Sequence, residues 1–125
     1  MSGEDICEVS FEKRPHYVFT HLKAASAAKI VPLTFLVESA ALCNEHQTRN
    51  LMLLREIPDV LTDTTAFFTA VRAAEILRNI KFAVVDRDPG HFRAIKLLEQ
   101  VLTSHGVVSR SFKNESDAED WLLSH

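Results

Sequence analysis

The chain has 125 residues, of which 46% are hydrophobic and 25% charged, with a formal net charge of −3. That length and balance predict one globular domain. They argue against a general nucleic-acid binder, which would carry a basic face. No apolar run is long enough to span a bilayer, so no integral membrane association is expected. The opening "MSGEDICEVSFEKR" has no apolar signal core. The expectation is therefore a cytoplasmic protein with Cys7 and Cys43 as reduced thiols, a disordered stretch over residues 1–5 and a domain over 6–125.

In "ICEVSFEKRPHYVFTHLKA" apolar and polar residues alternate on both sides of "EKRP", which predicts a β-hairpin with its turn at Pro15. Next, Ile30, Leu33, Leu36, Val37, Ala40 and Ala41 recur at helical spacing. Pro32 is tolerated early in a helix and damages its interior, so the helix either starts near Val31 or runs from Ser26 with a kink. "LMLLREI" is a short apolar run and predicts a strand buried on both faces. "PDVLTD" is a loop. Thr64 to Arg78 predicts a helix with Phe67, Val71, Ala74 and Leu77 on one stripe.

"KFAVVD" is another buried strand. In "DPGHFRAIKLLEQVLTSHG", Asp88 caps, Pro89 opens and Gly106 closes a helix whose apolar face is Phe92, Ile95, Leu98 and Leu102. "VVSRSF" follows as a strand. Ser116 and Glu119 then have capping-box spacing ahead of Trp121 and Leu122. The order ββαβαβαβα predicts an α/β fold: a mixed sheet with an N-terminal hairpin and about four packed helices.

Chemistry-bearing motifs are sparse. There is no Gly-rich phosphate loop, GxSxG elbow or Cys–His arrangement. His16 and His21 fall on opposite faces of a regular strand, and no histidine pair has metal-ligand spacing. His105 suits the negative end of a helix. The expectation is no enzyme, no metal and no cofactor. "FAVVDRDPG" resembles the start of a response-regulator receiver, but Arg87 separates Asp86 from Asp88. The phospho-acceptor of such domains lies one βα unit further on, and no such unit follows in these 125 residues.

The order of elements resembles the STAS superfamily, and within it the STAS/SEC14-like proteins grouped with the sporulation anti-sigma factor antagonist. "LMLLREI", "IKFAVVD", a helix ending "SHGV" and the close "SRSFKNESDAEDWL" carry the resemblance, over about residues 6 to 123. The resemblance implies a non-catalytic module that binds a protein partner or itself. Antagonists of this kind are phosphorylated at the N-terminus of the helix after the third strand, commonly in Asp-Ser-Ser-Gly. The matching residues here are Asp63, Thr64, Thr65 and Ala66. By position Thr65 is the candidate phospho-acceptor, with Thr64 and Asp63 beside it. The hydroxyls are kept and the glycine is not.

Helix capping by Thr62 or Asp63, with Thr64 and Thr65 filling the first turn, accounts for the same residues without any switch. Val60, Leu61, Thr62, Phe67 and Phe68 complete the candidate surface. Adjacent Phe67 and Phe68 cannot both face the core, so one is expected on the surface or in an apolar groove. That groove is the basis of the alternative, a SEC14-like carrier or sensor of a small apolar ligand. An exposed hairpin edge is a candidate surface for a homodimer.

Overall fold

A computed structural model of the chain describes residues 7–26, 33–59 and 61–124. Five strands form one sheet in the order β1-β2-β3-β4-β5: β1 (Cys7–Lys13), β2 (Val18–Ala24), β3 (Asn50–Glu56), β4 (Lys81–Val85) and β5 (Val108–Phe112). The hairpin pair β1–β2 is antiparallel and the other three pairs are parallel. Four helices connect or follow them: α1 (Thr34–Glu45), α2 (Asp63–Ile76), α3 (Phe92–Ser104) and α4 (Glu115–Leu123). This is the α/β order ββαβαβαβα expected from the sequence. The expected disorder of residues 1–5, the predicted helix start at Val31 or from Ser26 with a kink, and Val60 all fall wholly or partly outside the described residues.

Successive parallel strands are neighbours, so each right-handed crossover lands on the same face of the sheet. Leu22, Leu51, Leu53, Phe82 and Val84 meet α1, α2 and α3 there. The alternate residues Phe19, Met52, Leu54, Ala83 and Val85 point the other way and pack against Ala118 and Leu122 of α4. The central strands are buried on both faces, which is why they read as unbroken apolar runs.

α4 is held at its C-terminal end and at its middle. Lys81, at the start of β4, donates from Nζ to the Trp121 and Ser124 carbonyls at 2.7 and 2.9 Å and lies over the Trp121 ring. A cation at a helix C-terminus meets both the free carbonyls and the dipole. On its other side, the Tyr17 hydroxyl donates to Glu119 at 2.6 Å, and Arg14 donates to that hydroxyl at 3.1 Å. Burial, reinforced by the Glu119 carboxylate, pushes the Tyr17 phenol above its ordinary pKa.

Three local expectations are corrected. The buried stripe of α1 is Phe35, Leu36, Ser39 and Cys43, whereas Val37 and Ala41 are exposed. A serine holds the core position because its hydroxyl bonds Thr20 at 2.7 Å and donates to the Phe35 carbonyl at 2.7 Å, so nothing polar is left unmade. Phe92 is 53% exposed, because Pro89–His91 form a 3-10 turn and His91 takes the inward position instead. The cap of α4 is Asn114, which accepts from the Asp117 N–H at 2.8 Å, not Ser116. Glu119 is engaged with Tyr17 and is absent from the cap.

α3 ends as its glycine predicts. Gly106 has φ of 88°, a left-handed conformation that glycine adopts without a Cβ penalty. The Gly106 N–H reaches the Thr103 carbonyl and the Val107 N–H the Leu102 carbonyl, each at 3.0 Å, which satisfies two of the last free carbonyls of the helix.

Candidate functional site

The first turn of α2 is capped by Thr62, whose Oγ1 accepts from the Thr65 N–H at 3.1 Å. The same hydroxyl donates to Thr65 Oγ1 at 2.9 Å. Asp63 occupies the first turn, where the helix dipole favours an acid, and pairs with Arg93 of α3 at 3.0 Å. Both members of that pair are largely exposed, so it contributes little to stability. Thr64 and Thr65 are exposed. They stand at a helix N-terminus, with the Thr65 hydroxyl accepting from Thr62, and a phosphate added to either would meet the positive end of the helix dipole.

One turn further on, Phe67 and Phe68 are 44% and 60% exposed, with ring centroids 5.4 Å apart in an edge-to-face arrangement. The sequence puts Phe67 on the apolar stripe and one of the pair on the surface or in an apolar groove. Both are largely exposed, and Phe68 also lines the cavity described below. The buried stripe of α2 is Ala66, Ala70, Ala73 and Ala74, because Phe67 lies off the face that meets the sheet. Leu61 is buried instead and packs on Ala66 and Ala94. It anchors the loop beneath α2. The surface formed by Thr62, Thr64, Thr65, Phe67 and Phe68 is therefore contiguous in sequence, and Leu61 supports it from below.

A second feature lies under α2. A cavity of about 250 Å³ opens between α1, α2, α3 and the sheet. Leu22, Leu53, Ala73, Phe82 and Leu98 line it, together with the exposed Phe68, Thr64 and Thr65. Among the described residues, the cations Arg55 and Arg72 also line it. Arg72 is exposed on α2 and has no ion pair among the described residues.

Arg55 is 5% exposed at the end of β3, on the three-helix face beyond Leu53. Its Nη1 donates to Asp86 Oδ2 at 2.8 Å. Asp86, 8% exposed at the end of β4, also faces His91 Nδ1 at 2.9 Å and accepts from the Asp88 N–H at 3.0 Å. His91 is 4% exposed, and its Nε2 faces the Pro58 carbonyl oxygen at 3.3 Å. Both ring nitrogens therefore face oxygens. The cluster joins the C-terminal ends of two parallel strands to the loops that follow them. The other terminal nitrogen, Arg55 Nη2, is buried and has no hydrogen-bond partner.

Reading the sequence alone missed this cluster. In the sequence Asp86 closes a strand pattern and His91 lies at the start of a helical one. The available signal was Arg55 itself, a charged side chain inside the run "LMLLREI". Among the described residues no three His, Cys, Asp or Glu side chains converge as a metal site. No helix among them is long and apolar enough to cross a membrane.

The sequence matches no protein-family model and no curated protein. The structure is similar to that of an anti-sigma factor antagonist from Mycobacterium paratuberculosis. The TM-score is 0.67 at 15% identity, over 99% of this chain and all of the other. The likeness covers nearly the whole chain, so the chain shares the fold of that structure, an α/β arrangement in the order ββαβαβαβα.

Proposed function

We propose that this protein is a non-catalytic regulatory module of the anti-sigma factor antagonist type, that it docks a protein partner through the N-terminal end of α2, and that phosphorylation of Thr65 controls the docking. The observation that carries this is the juxtaposition of exposed hydroxyls and exposed aromatics at one helix end: Thr64 and Thr65 in the first turn, Phe67 and Phe68 in the next. Exposed aromatic pairs of this kind supply large contact area at low entropy cost, and aromatic residues are enriched among the anchors of interfaces. A phosphate beside them adds about −1.5 to −2 charge. The first-turn N–H groups and Arg93 favour that charge and Asp63 opposes it, so phosphorylation changes both the charge and the shape of the surface at once. Self-association through β1 is the weaker reading. β1 is an edge strand and exposes Glu8, Glu12 and Lys13, charges that discourage edge pairing.

Immobilised wild-type protein, Thr65→Ala, Thr65→Glu and a Phe67→Ser/Phe68→Ser variant would be compared for retained partners identified by mass spectrometry. Retention by wild type and Thr65→Ala, with loss in the other two, supports the proposal. Equal retention by all four rejects it.

A further inference from the structure

His91 lies among oxygens that can only accept. Its Nδ1 faces both carboxylate oxygens of Asp86, at 2.9 and 3.1 Å. Its Nε2 faces the Pro58 carbonyl oxygen at 3.3 Å and Asp88 Oδ2 at 3.4 Å. A neutral imidazole has one N–H and one lone pair, so it serves only one of these sides, whereas the imidazolium serves both. Asp86 holds the Nδ1 hydrogen in either state, since its other neighbours, Arg55 Nη1 and the Asp88 N–H, are donors too. The hydrogen that comes and goes is therefore the one on Nε2. Charge alternates along the cluster, from Arg55 of β3 to Asp86 after β4, the ring, and Asp88 of its own turn. Lys96 of α3, Lys113 after β5 and Asp117 of α4 line the same crevice at the carboxyl ends of β4 and β5. The two carboxylates that touch the ring favour its charged form, and the three cations oppose it.

Pro58 belongs to the loop that leads from β3 into α2. Proline has no N–H, so its carbonyl is its one backbone polar group. Ile57 and Leu61 are buried on either side of it, and Thr62 at the end of the loop caps α2. Without the Nε2 hydrogen, a lone pair in a buried ring would face a carbonyl oxygen and a carboxylate, and that repulsion favours moving the loop off the ring. We infer that His91 is a proton-operated tether: protonated, it holds Pro58 and the loop into α2 against the turn after β4, and deprotonated at Nε2, it releases them. Histidine suits the task because its charge changes between about pH 5 and 8. On release the Nε2 proton passes to water, water takes over the Pro58 carbonyl, and the ring keeps its Nδ1–Asp86 bond. The tether needs no partner, so it and the docking proposal fail separately.

The full chain, labelled with carbon-13 and nitrogen-15, is followed by nuclear magnetic resonance from about pH 5 to about pH 8. The ring nitrogen shifts read the protonation of His91. The Pro58 carbonyl carbon and the Asp59 amide nitrogen read the peptide group that the ring holds. The expected result is a ring with both nitrogens protonated at the acid end that loses the Nε2 proton as pH rises, with the Pro58 and Asp59 signals moving at the same midpoint. Asp88→Asn keeps an oxygen to cap the Gly90 N–H but removes a carboxylate near Nε2, so the shared midpoint should move to lower pH. His91→Gln cannot titrate, and in it the Pro58 and Asp59 signals should stay flat. Should His91→Gln fail to fold, the Asp88→Asn arm still decides. A ring that keeps one protonation state throughout overturns the tether, as does a ring that titrates while Pro58 and Asp59 stay still. A Pro58 response that persists in folded His91→Gln, or an unmoved midpoint in Asp88→Asn, overturns it as well.

Discussion

Replacing Asp86 by alanine removes the one acceptor shared by three donors: Arg55 Nη1 at 2.8 Å, His91 Nδ1 at 2.9 Å and the Asp88 N–H at 3.0 Å. All the side chains involved except Asp88 are more than nine-tenths buried. What remains is a buried guanidinium with neither terminal nitrogen paired. Breaking a buried pair from one side costs about 3–5 kcal/mol, against a total stability of roughly 5–15. Urea unfolding followed by far-ultraviolet circular dichroism should therefore show a midpoint about 2 M lower, taking a slope of roughly 2 kcal/mol per M. Arg55→Met acts differently. Asp86 keeps His91 and the Asp88 N–H, and the methionine is at home beside Leu53, so the loss should be about 1–2 kcal/mol. The double variant buries no unpaired guanidinium but still leaves His91 Nδ1 and the Asp88 N–H without their acceptor, so it should fall about 1 kcal/mol below Arg55→Met and stay more stable than Asp86→Ala. The coupling between the two changes would then be at least about 2 kcal/mol. Effects that add within about 0.5 kcal/mol, or an Asp86→Ala loss below about 1 kcal/mol, would refute the claim that the carboxylate is what neutralises this buried arginine.

Thr62→Ala removes the cap of α2 and should cost about 1 kcal/mol, whereas exposed Thr64→Ala should stay within about 0.5, both read by chemical denaturation. Leu51 is fully buried, and Leu51→Ala should cost about 2–5 kcal/mol in the same assay. Burial pushes the Cys43 thiol from 9.0 up to about 11. The folded state therefore holds that proton more tightly than the unfolded chain, and its stabilising effect is complete below pH 9 and lost as pH rises to 11. A loss of roughly 2–3 kcal/mol across that window should vanish in Cys43→Ala. Under native conditions at pH 8, iodoacetamide should label exposed Cys7 and spare Cys43, as intact-mass spectrometry would show.

The sequence by itself determined the architecture. Period-two alternation in "CEVSFEK" set the hairpin edge, and the unbroken runs "LMLL" and "FAVV" marked strands covered on both faces. Gly106 and the pair Thr62 and Asp63 marked helix ends, because free backbone groups demand particular residues there, and the structure chose Thr62 as the cap. It also placed Thr65 at a helix N-terminus and put one of Phe67 and Phe68 on the surface or in an apolar groove, since helical geometry forbids two adjacent side chains from sharing a direction.

Only the tertiary structure decided which polar residues are buried. Ser39 sits in the core because Thr20, on a strand far away in the chain, meets its hydroxyl. His91 displaces Phe92 from the inward face because Asp86 and the Pro58 carbonyl oxygen wait for its ring nitrogens. Arg55 is tolerated inside the sheet because Asp86 arrives at the end of the neighbouring strand. Periodicity ranks each residue by its own hydrophobicity, while the burial of a polar group depends on a partner that can be thirty positions distant. The Arg55 cluster and the cavity beside it therefore appear only once the strands are side by side.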